Sequence, residues 1–206
     1  MRILVACEES QTVCIAFRNK GHEAFSCDIQ PCSGGHPEWH IQGDAIEEAY
    51  GGGYDMMIGH PPCTYISFAG THCWNDLGRC EKRLQALEFF RKLWEAPIDK
   101  ICLENPKSCA SPVIAKYTQE IQPYYFGESN LKTTWLWLKN LPLLQHYAKD
   151  TLFNEKTHTD KPEPEYISQN GKKLYFTEAK SGSNNGGHIR SKTFAAFANA
   201  MAEQWG

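Results

Sequence analysis

Pro61-Pro62-Cys63-Thr64 places a thiol directly after two residues whose rings fix the backbone, so the sulfur is presented from a stiff loop. An unperturbed cysteine ionises near pH 8.5, and a nucleophilic role requires a cation, a helix end or a proton acceptor beside it. The bland alternative is a buried core thiol. Some forty residues on, Leu103-Glu104-Asn105-Pro106 puts a carboxylate at the end of an apolar run. Such a group is costly unless it is paired or partly protonated, and a raised pKa would let it donate a proton to a ring nitrogen. A helix cap or a partner for an arginine is its alternative use. Together the two groups suit covalent activation of a pyrimidine: sulfur adds to C6, the carboxyl protonates N3, and C5 becomes nucleophilic toward a methyl donor.

Strands must present both groups. Ile3-Leu4-Val5-Ala6-Cys7 is a short continuous apolar run, as expected of a strand buried on both faces of a parallel sheet. A helix is expected from Ser10-Gln11-Thr12 to Gly21, followed by a second strand, Ala24 to Cys27, that ends at Asp28. The Gly-, Pro- and His-rich stretch 31–53 reads mainly as loop, with a short helix over Asp44 to Ala49. Tyr54 to Gly59 is a third strand, and it delivers the prolines. Apolar residues at 84, 87, 90, 93 and 94 mark an amphipathic helix over Glu81 to Trp94, and Lys100 to Leu103 is the strand that delivers Glu104.

Strands alternating with helices, with polar clusters at the strand exits, predict an α/β protein with a doubly wound sheet. Residues 133–144 add a strand and turn, 145–187 change character toward Gly, Ser and Lys, and a helical pattern resumes through Phe194, Phe197, Ala198 and Met201. The expected organisation is a catalytic and cofactor-binding core over 1–144, a small insertion over 145–187 as candidate target-recognition lobe, and a return over 188–206.

Composition sets outer limits. The 206 residues carry 24 acidic and 21 basic side chains, 41% hydrophobic and 22% charged residues, which is ordinary for a globular protein. No stretch approaches the roughly 20 apolar residues of a membrane span. The five-residue run after Met1-Arg2 is too short for a signal-peptide core, so no membrane partner and a cytoplasmic location are expected. All nine cysteines lie in the first 109 residues, an odd count that argues for reduced thiols. The charge is uneven, with eight basic against six acidic residues over 146–192.

The order of these features resembles the DNA cytosine-C5 methyltransferases, in the form of the small, divergent methylase-like proteins of phages and prophages. The apolar strand, Asp28, Gly43-Asp44, Gly59-His60-Pro61-Pro62-Cys63 with Ser67 four residues on, and Glu104-Asn105-Pro106 carry the likeness, densest over residues 1–110. The resemblance implies a Rossmann-like fold, S-adenosylmethionine as cofactor, cytosine-containing DNA as partner, and a bacterial or phage-infected cell as location. It makes Cys63 the nucleophile and Glu104 the N3 proton donor, with Asn105 bracing the loop. It sets Ala6, Cys7, Glu8, Glu9, Asp28, Ile29, Asp44, Ala45, His60, Pro61, Arg190 and Ser191 around the cofactor. Ser67, Arg79, Lys82 and Arg83 would close over the flipped base and its phosphates, and Lys132 stands in the region of the family's base-supporting arginine.

The departures open alternatives. The turn Cys7-Glu8-Glu9-Ser10-Gln11-Thr12 lacks the family's glycines, and one of its glutamates is a candidate partner for the cofactor ammonium. Arg190 replaces a neutral residue near the cofactor's methionine part, which invites a carboxylated S-adenosylmethionine and carboxymethyl transfer. A catalytically degenerate nucleic-acid-binding protein is the other alternative. Amino-directed methylation is disfavoured because Cys63 stands where those enzymes need a stacking ring. Cys27, Cys32, His36 and His40, with His72, Cys73 and Cys80 downstream, have metal-ligand types but no zinc-finger spacing, so no metal is expected.

Overall fold

The computed structural model describes residues 1–146, 157–167, 171, 173–175 and 193–206. Seven strands form one sheet: β1 (Arg2–Ala6), β2 (Glu23–Asp28), β3 (His40–Gln42), β4 (Met56–Gly59), β5 (Lys100–Pro106), β6 (Gln119–Ile121) and β7 (Thr134–Lys139). Their spatial order is β3-β2-β1-β4-β5-β7-β6. The first five are parallel, β7 runs antiparallel to β5, and β6 antiparallel to β7. Sequence order therefore reverses between β1 and β4, and the crevice outside the carboxyl ends at that reversal is where open α/β sheets bind ligands.

The alternation of side chains along each strand explains the layers. Ile3, Val5, Met56, Ile58, Cys102 and Leu136 point to one face, where α1 (Thr12–Asn19) and α5 (Ala195–Trp205) cover them with Val13, Phe17, Phe197 and Met201. Leu4, Met57, Ile101, Leu103 and Trp137 point to the other, under α2 (Ala45–Gly51) and α3 (Arg79–Trp94) through Ala49, Phe90 and Leu93. Each large side chain taken out of water on these faces contributes about 1.5–3 kcal/mol. Both faces are therefore largely apolar, with the buried Ser26 of β2 as an exception, and the buried Glu104 and Asn105 stand toward the exit of β5.

Two short strands were not expected. β3 lies inside the segment read as loop, and its residues are only partly covered. β6 is an equally short outer strand, held by pairing to β7. The remaining described elements are a short helix, α4 (Ala110–Val113), three 3₁₀ turns (Pro37–Trp39, Phe68–Cys73 and Pro123–Phe126), and a two-stranded hairpin of β8 (Tyr166–Ile167) and β9 (Lys173–Leu174) within the 145–187 segment. α1 begins at Thr12 and α3 at Arg79, each two residues from the expected start. Among the described residues, no helix is long and apolar enough to cross a membrane.

Candidate active site

β4 and β5 are neighbours in register, Gly59 opposite Leu103, so the residues that follow them emerge side by side. Two bonds fix the prolyl loop there. The His60 N–H donates to the Ala6 carbonyl of β1 at 2.9 Å, and the buried Asn105 side chain donates to the Pro61 carbonyl at 2.8 Å. Past the prolines the chain makes a tight turn in which the N–H groups of Ile66 and Ser67 return to the Cys63 carbonyl. That turn is stitched to the segment after β5: the Phe68 N–H reaches the Lys107 carbonyl at 2.9 Å, the Cys109 N–H reaches the Ile66 carbonyl at 3.0 Å, and Ser67 bridges Ser108. Cys63, half-buried, is thus carried on a loop anchored to the strand that carries Glu104.

Glu104 is 8% exposed, and its Oε2 accepts a hydrogen bond from His60 Nδ1 at 2.7 Å. Burial pushes its carboxyl up. The His60 hydrogen bond, the Lys132 and His60 charges and a Thr193 hydrogen bond outweigh that and bring it down to about 2. Burial pulls the His60 imidazole down in turn, but the bond and charge of Glu104, with the charge of Glu8, hold it above its ordinary value. Both shifts favour the charged forms, imidazolium and carboxylate. Of the two uses open to a buried carboxylate, pairing and protonation, pairing is the one present: a histidine 44 residues earlier supplies the partner that desolvation demanded.

Lys132, expected near the base, does send its charge onto Glu104 and His60, and its Nζ stands 5.6 Å over the Phe194 ring. Thr193, which the sequence did not single out, places Oγ1 3.4 Å from His60 Nδ1. It stands just ahead of α5, whose first turn is tied down by a bond from the Ala196 N–H to the Glu128 carboxylate at 2.7 Å. No residue pattern marks it, because its role exists only once α5 packs back on α1. His60, expected at the cofactor, has its Nδ1 bonded to Glu104.

The β1–α1 turn shows how the chain manages without glycine. Cys7 and Gln11 both adopt left-handed backbone conformations, φ 61° and 59°. Glu8, almost fully buried, turns back on α1 and accepts the N–H groups of Val13 and Cys14 at 2.7 and 3.2 Å, satisfying two orphan donors of the helix. Glu9 bonds Ser33. Gln11 donates to the His36 carbonyl at 2.8 Å and accepts the His36 N–H at 3.0 Å, so the 31–39 segment straps across the turn. Gly34 lies so close beneath it that a Cβ there would stand 2.5 Å from Gln11 Cβ. Both glutamates considered for a cofactor ammonium thus have protein partners.

At the exit of β2, Asp28 uses Oδ1 for the Gln30 N–H at 2.9 Å, and its Oδ2 accepts no bond from the described residues. Asp44 caps α2 through Ile46 N–H, with Ala45 buried beside it, and Ile29 projects into solvent. Cys7 lies close enough to Asp28 and Asp44 that their charges join burial in driving its thiol far above the ordinary range. Ala6 is the buried last residue of β1. His40 spends one ring nitrogen on Ser26 and the other on the Gln30 carbonyl. Among the described residues no three His, Cys, Asp or Glu side chains gather as metal ligands.

The nucleic-acid candidates line the loop after Cys63. Arg79 donates to the Thr64 carbonyl at 3.2 Å and stacks on Tyr65, and Arg83 donates to the Trp74 carbonyl at 3.1 Å with its guanidinium 4.1 Å from the Trp74 ring centroid. Lys82 Nζ lies 5.6 Å over Tyr65. Ser67 accepts the Ala69 N–H, capping a 3₁₀ turn over Phe68–Cys73. Arg190 and Ser191 lie outside the described residues, as do Lys156, Lys172, Lys180, Phe153 and Phe176 of the insertion.

Among solved structures the chain is similar to a protein named as a candidate DNA modification methyltransferase encoded within a prophage (E. coli), at 14% identity, 73% of this chain, 52% of that one and a TM-score of 0.47. It is also similar to a mutant of Spodoptera frugiperda DNMT2, at 15% identity, 78% of this chain, 56% of that one and a TM-score of 0.42. The chain spans about half the length of each. No family model matches it, and neither does any curated protein.

Proposed function

We propose that the protein is an S-adenosylmethionine-dependent cytosine-C5 methyltransferase acting on DNA. The observation that carries this reading is the coupling of the Cys63 loop to the Glu104 strand end, through Asn105 Nδ2 and the Pro61 carbonyl at 2.8 Å, with His60 Nδ1 hydrogen-bonded to Glu104 Oε2 at 2.7 Å. The arrangement gives a thiol and a proton-carrying acid a common support, which is what addition across the C5–C6 bond of a pyrimidine requires.

In the proposed reaction the Cys63 thiolate forms a bond to C6 while N3 gains a proton at the Glu104 side chain, leaving an electron-rich C5. The cofactor, when bound, supplies an electrophilic methyl group for C5. The C5 proton then passes to solvent water, the N3 proton returns through Glu104, and departure of the thiolate regenerates the ring and the enzyme. Asn105 keeps the sulfur-bearing loop from drifting, and the strap over the β1–α1 turn holds the crevice wall.

The residues at the strand exits fit such a cofactor at the ribose. Asp28 Oδ2 is available to accept from a vicinal diol at the place where acids after a second Rossmann strand commonly do so. At the neighbouring exit, His60 Nε2 is buried and has no hydrogen-bond partner among the described residues. The DNA reading draws on the cations and rings after Cys63, with Lys82 as the phosphate contact, and on the 145–187 segment as the lobe that reads the target.

The test is incubation with labelled S-adenosylmethionine and cytosine-containing DNA, comparing wild type with Cys63→Ala and Glu104→Gln. Label in 5-methylcytosine from wild type alone, together with a covalent adduct on 5-fluorocytosine DNA, is expected. Equal labelling by Cys63→Ala would overturn the mechanism.

A further inference from the structure

His60 stands at the exit of β4 with its side chain 11% exposed. Charged groups face it from three sides: Glu104 on β5 at 2.7 Å, Glu8 on the β1–α1 turn, and Lys132 ahead of β7. Thr193, ahead of α5, adds a hydroxyl at 3.4 Å, and the Nε2 atom, cut off from solvent, has no hydrogen-bond partner among the described residues. Two carboxylates and one ammonium around a buried imidazole favour its charged form. Next to that cation Glu104 is ionised, and an ionised carboxylate has no proton of its own to give a base.

We propose, on the basis of the methyl-transfer reading above, that His60 stores the proton destined for the pyrimidine and that Glu104 is the conduit through which it reaches N3. As the Cys63 sulfur bonds to C6, electron density moves onto N3 and raises its basicity. The proton leaves Nδ1 for the Glu104 carboxylate and passes from the carboxyl to N3. At the end of the step the S–C6 bond is made, N3 carries hydrogen, Glu104 is again ionised and His60 is neutral. When the thiolate leaves, the N3 proton returns by the same path and the imidazolium is restored. His60 is thus a positioning residue that acts through Glu104, and the pair behaves as one acid.

The role has consequences that a merely structural histidine would not produce. In protein carrying nitrogen-labelled histidine, His60 should keep both ring protons above its ordinary pKa of 6.5, and Glu104→Gln should bring its titration below that value. The pH profile of methyl transfer should have an alkaline limb that coincides with the His60 titration. His60→Gln, whose amide can bond Glu104 but cannot release a proton, should lower the rate about 10²-fold and move that limb to lower pH. Glu8→Gln, which keeps His60 and removes a neighbouring negative charge, should move the limb the same way and serves where His60→Gln does not fold.

Either variant losing rate equally at every pH, with the limb in place, would overturn the proposal. So would an active wild type whose His60 titrates at or below 6.5. A wild type that transfers no methyl group while His60 titrates high would remove the cytosine reading, and this role with it, leaving the ion pair as a structural feature.

Discussion

Asn105 and Pro61, 44 positions apart, are joined by one bond, from the side-chain amide to the prolyl carbonyl at 2.8 Å. Proline has no N–H to offer a neighbour, so its carbonyl is the handle by which a Pro-Pro loop can be tied to a sheet. The bond converts two strand exits into a single rigid support.

Asn105→Ala should separate stability from chemistry. The substitution leaves the Pro61 carbonyl buried without a donor, which costs about 1–3 kcal/mol of unfolding free energy. Methyl transfer should fall further than that loss accounts for, by about 10²-fold, because the loop carrying Cys63 is released. Chemical denaturation and single-turnover labelling measure the two. An unchanged rate in a destabilised protein would mean that the loop is held elsewhere.

Thiol reactivity should divide by environment. Burial drives Cys14 and Cys27 up to about 12 and Cys102 well above the ordinary value, and Cys7 rises with them. Thiols that are neither ionised nor accessible are poor nucleophiles. Native alkylation at pH 8 followed by peptide mass spectrometry should leave these four unmodified while the exposed Cys80 reacts. Rapid labelling of Cys102 would show that the sheet opens on the timescale of the experiment.

How far these relationships could be read beforehand depends on how local they are. β1 and β4 are legible because both faces of each are covered, which forces continuous apolar runs such as Met56-Met57-Ile58. β3, a partly exposed strand of three residues, carries no comparable signal. Cys63, Glu104 and Asn105 stand out because their local contexts are odd: a thiol after two prolines, and a carboxylate and an amide ending an apolar strand. The charge on Glu104 was not readable, since it is set through space by His60, Lys132 and Thr193, which lie far away in sequence. The cap that Glu8 forms on α1 was hidden similarly, because it depends on the left-handed turn at Cys7.

The His60–Glu104 pair should give stability a bounded pH window. Glu104 is held low, so its contribution is present above its unfolded value and is lost as pH falls toward about 2. His60 is held high, so its contribution is present below 6.5 and is lost as pH rises through its folded value. Wild type minus Glu104→Gln should therefore show its largest difference between about pH 4.5 and 6.5 and shrink on both sides. Removing one member of a buried pair costs about 3–5 kcal/mol inside that window. A difference independent of pH would mean that the two groups are not an ion pair.

Glu8 should behave with the opposite sign from Glu104. Burial raises its carboxyl, against the lowering effects of His60 and the Val13 and Cys14 N–H groups. A raised acid contributes stability that is full below its unfolded value and fades as pH climbs through the folded one. Glu8→Gln keeps one acceptor for the helix and removes the buried charge, so its unfolding free energy should gain on wild type as pH increases. Glu8→Ala removes both acceptors and should cost about 1–2 kcal/mol at neutral pH. Urea titrations at pH 5 and pH 8 decide the matter, and parallel behaviour of Glu8→Gln at the two values would contradict it.

Arg79, Lys82 and Arg83 should not be equivalent on DNA. Arg79 and Arg83 each spend a guanidinium N–H on a backbone carbonyl of the loop after Cys63 and lie on a ring of that loop, whereas Lys82 contacts it only through the Tyr65 face. A cation over a ring contributes about 0.5–1 kcal/mol and a hydrogen bond about 0.5–1.5, so Arg79→Ala and Arg83→Ala should loosen the loop by about 1–2 kcal/mol each. Hydrogen exchange over residues 64–78 should rise in both and stay at the wild-type level in Lys82→Ala. A lysine on a phosphate instead releases a counterion, so Lys82→Ala should reduce the slope of log affinity against log salt by about 1, with the arginine variants nearer wild type. If all three variants change the salt slope alike while loop exchange stays constant, the arginines are phosphate contacts and the loop is braced by Ser67, Phe68 and Cys109 alone.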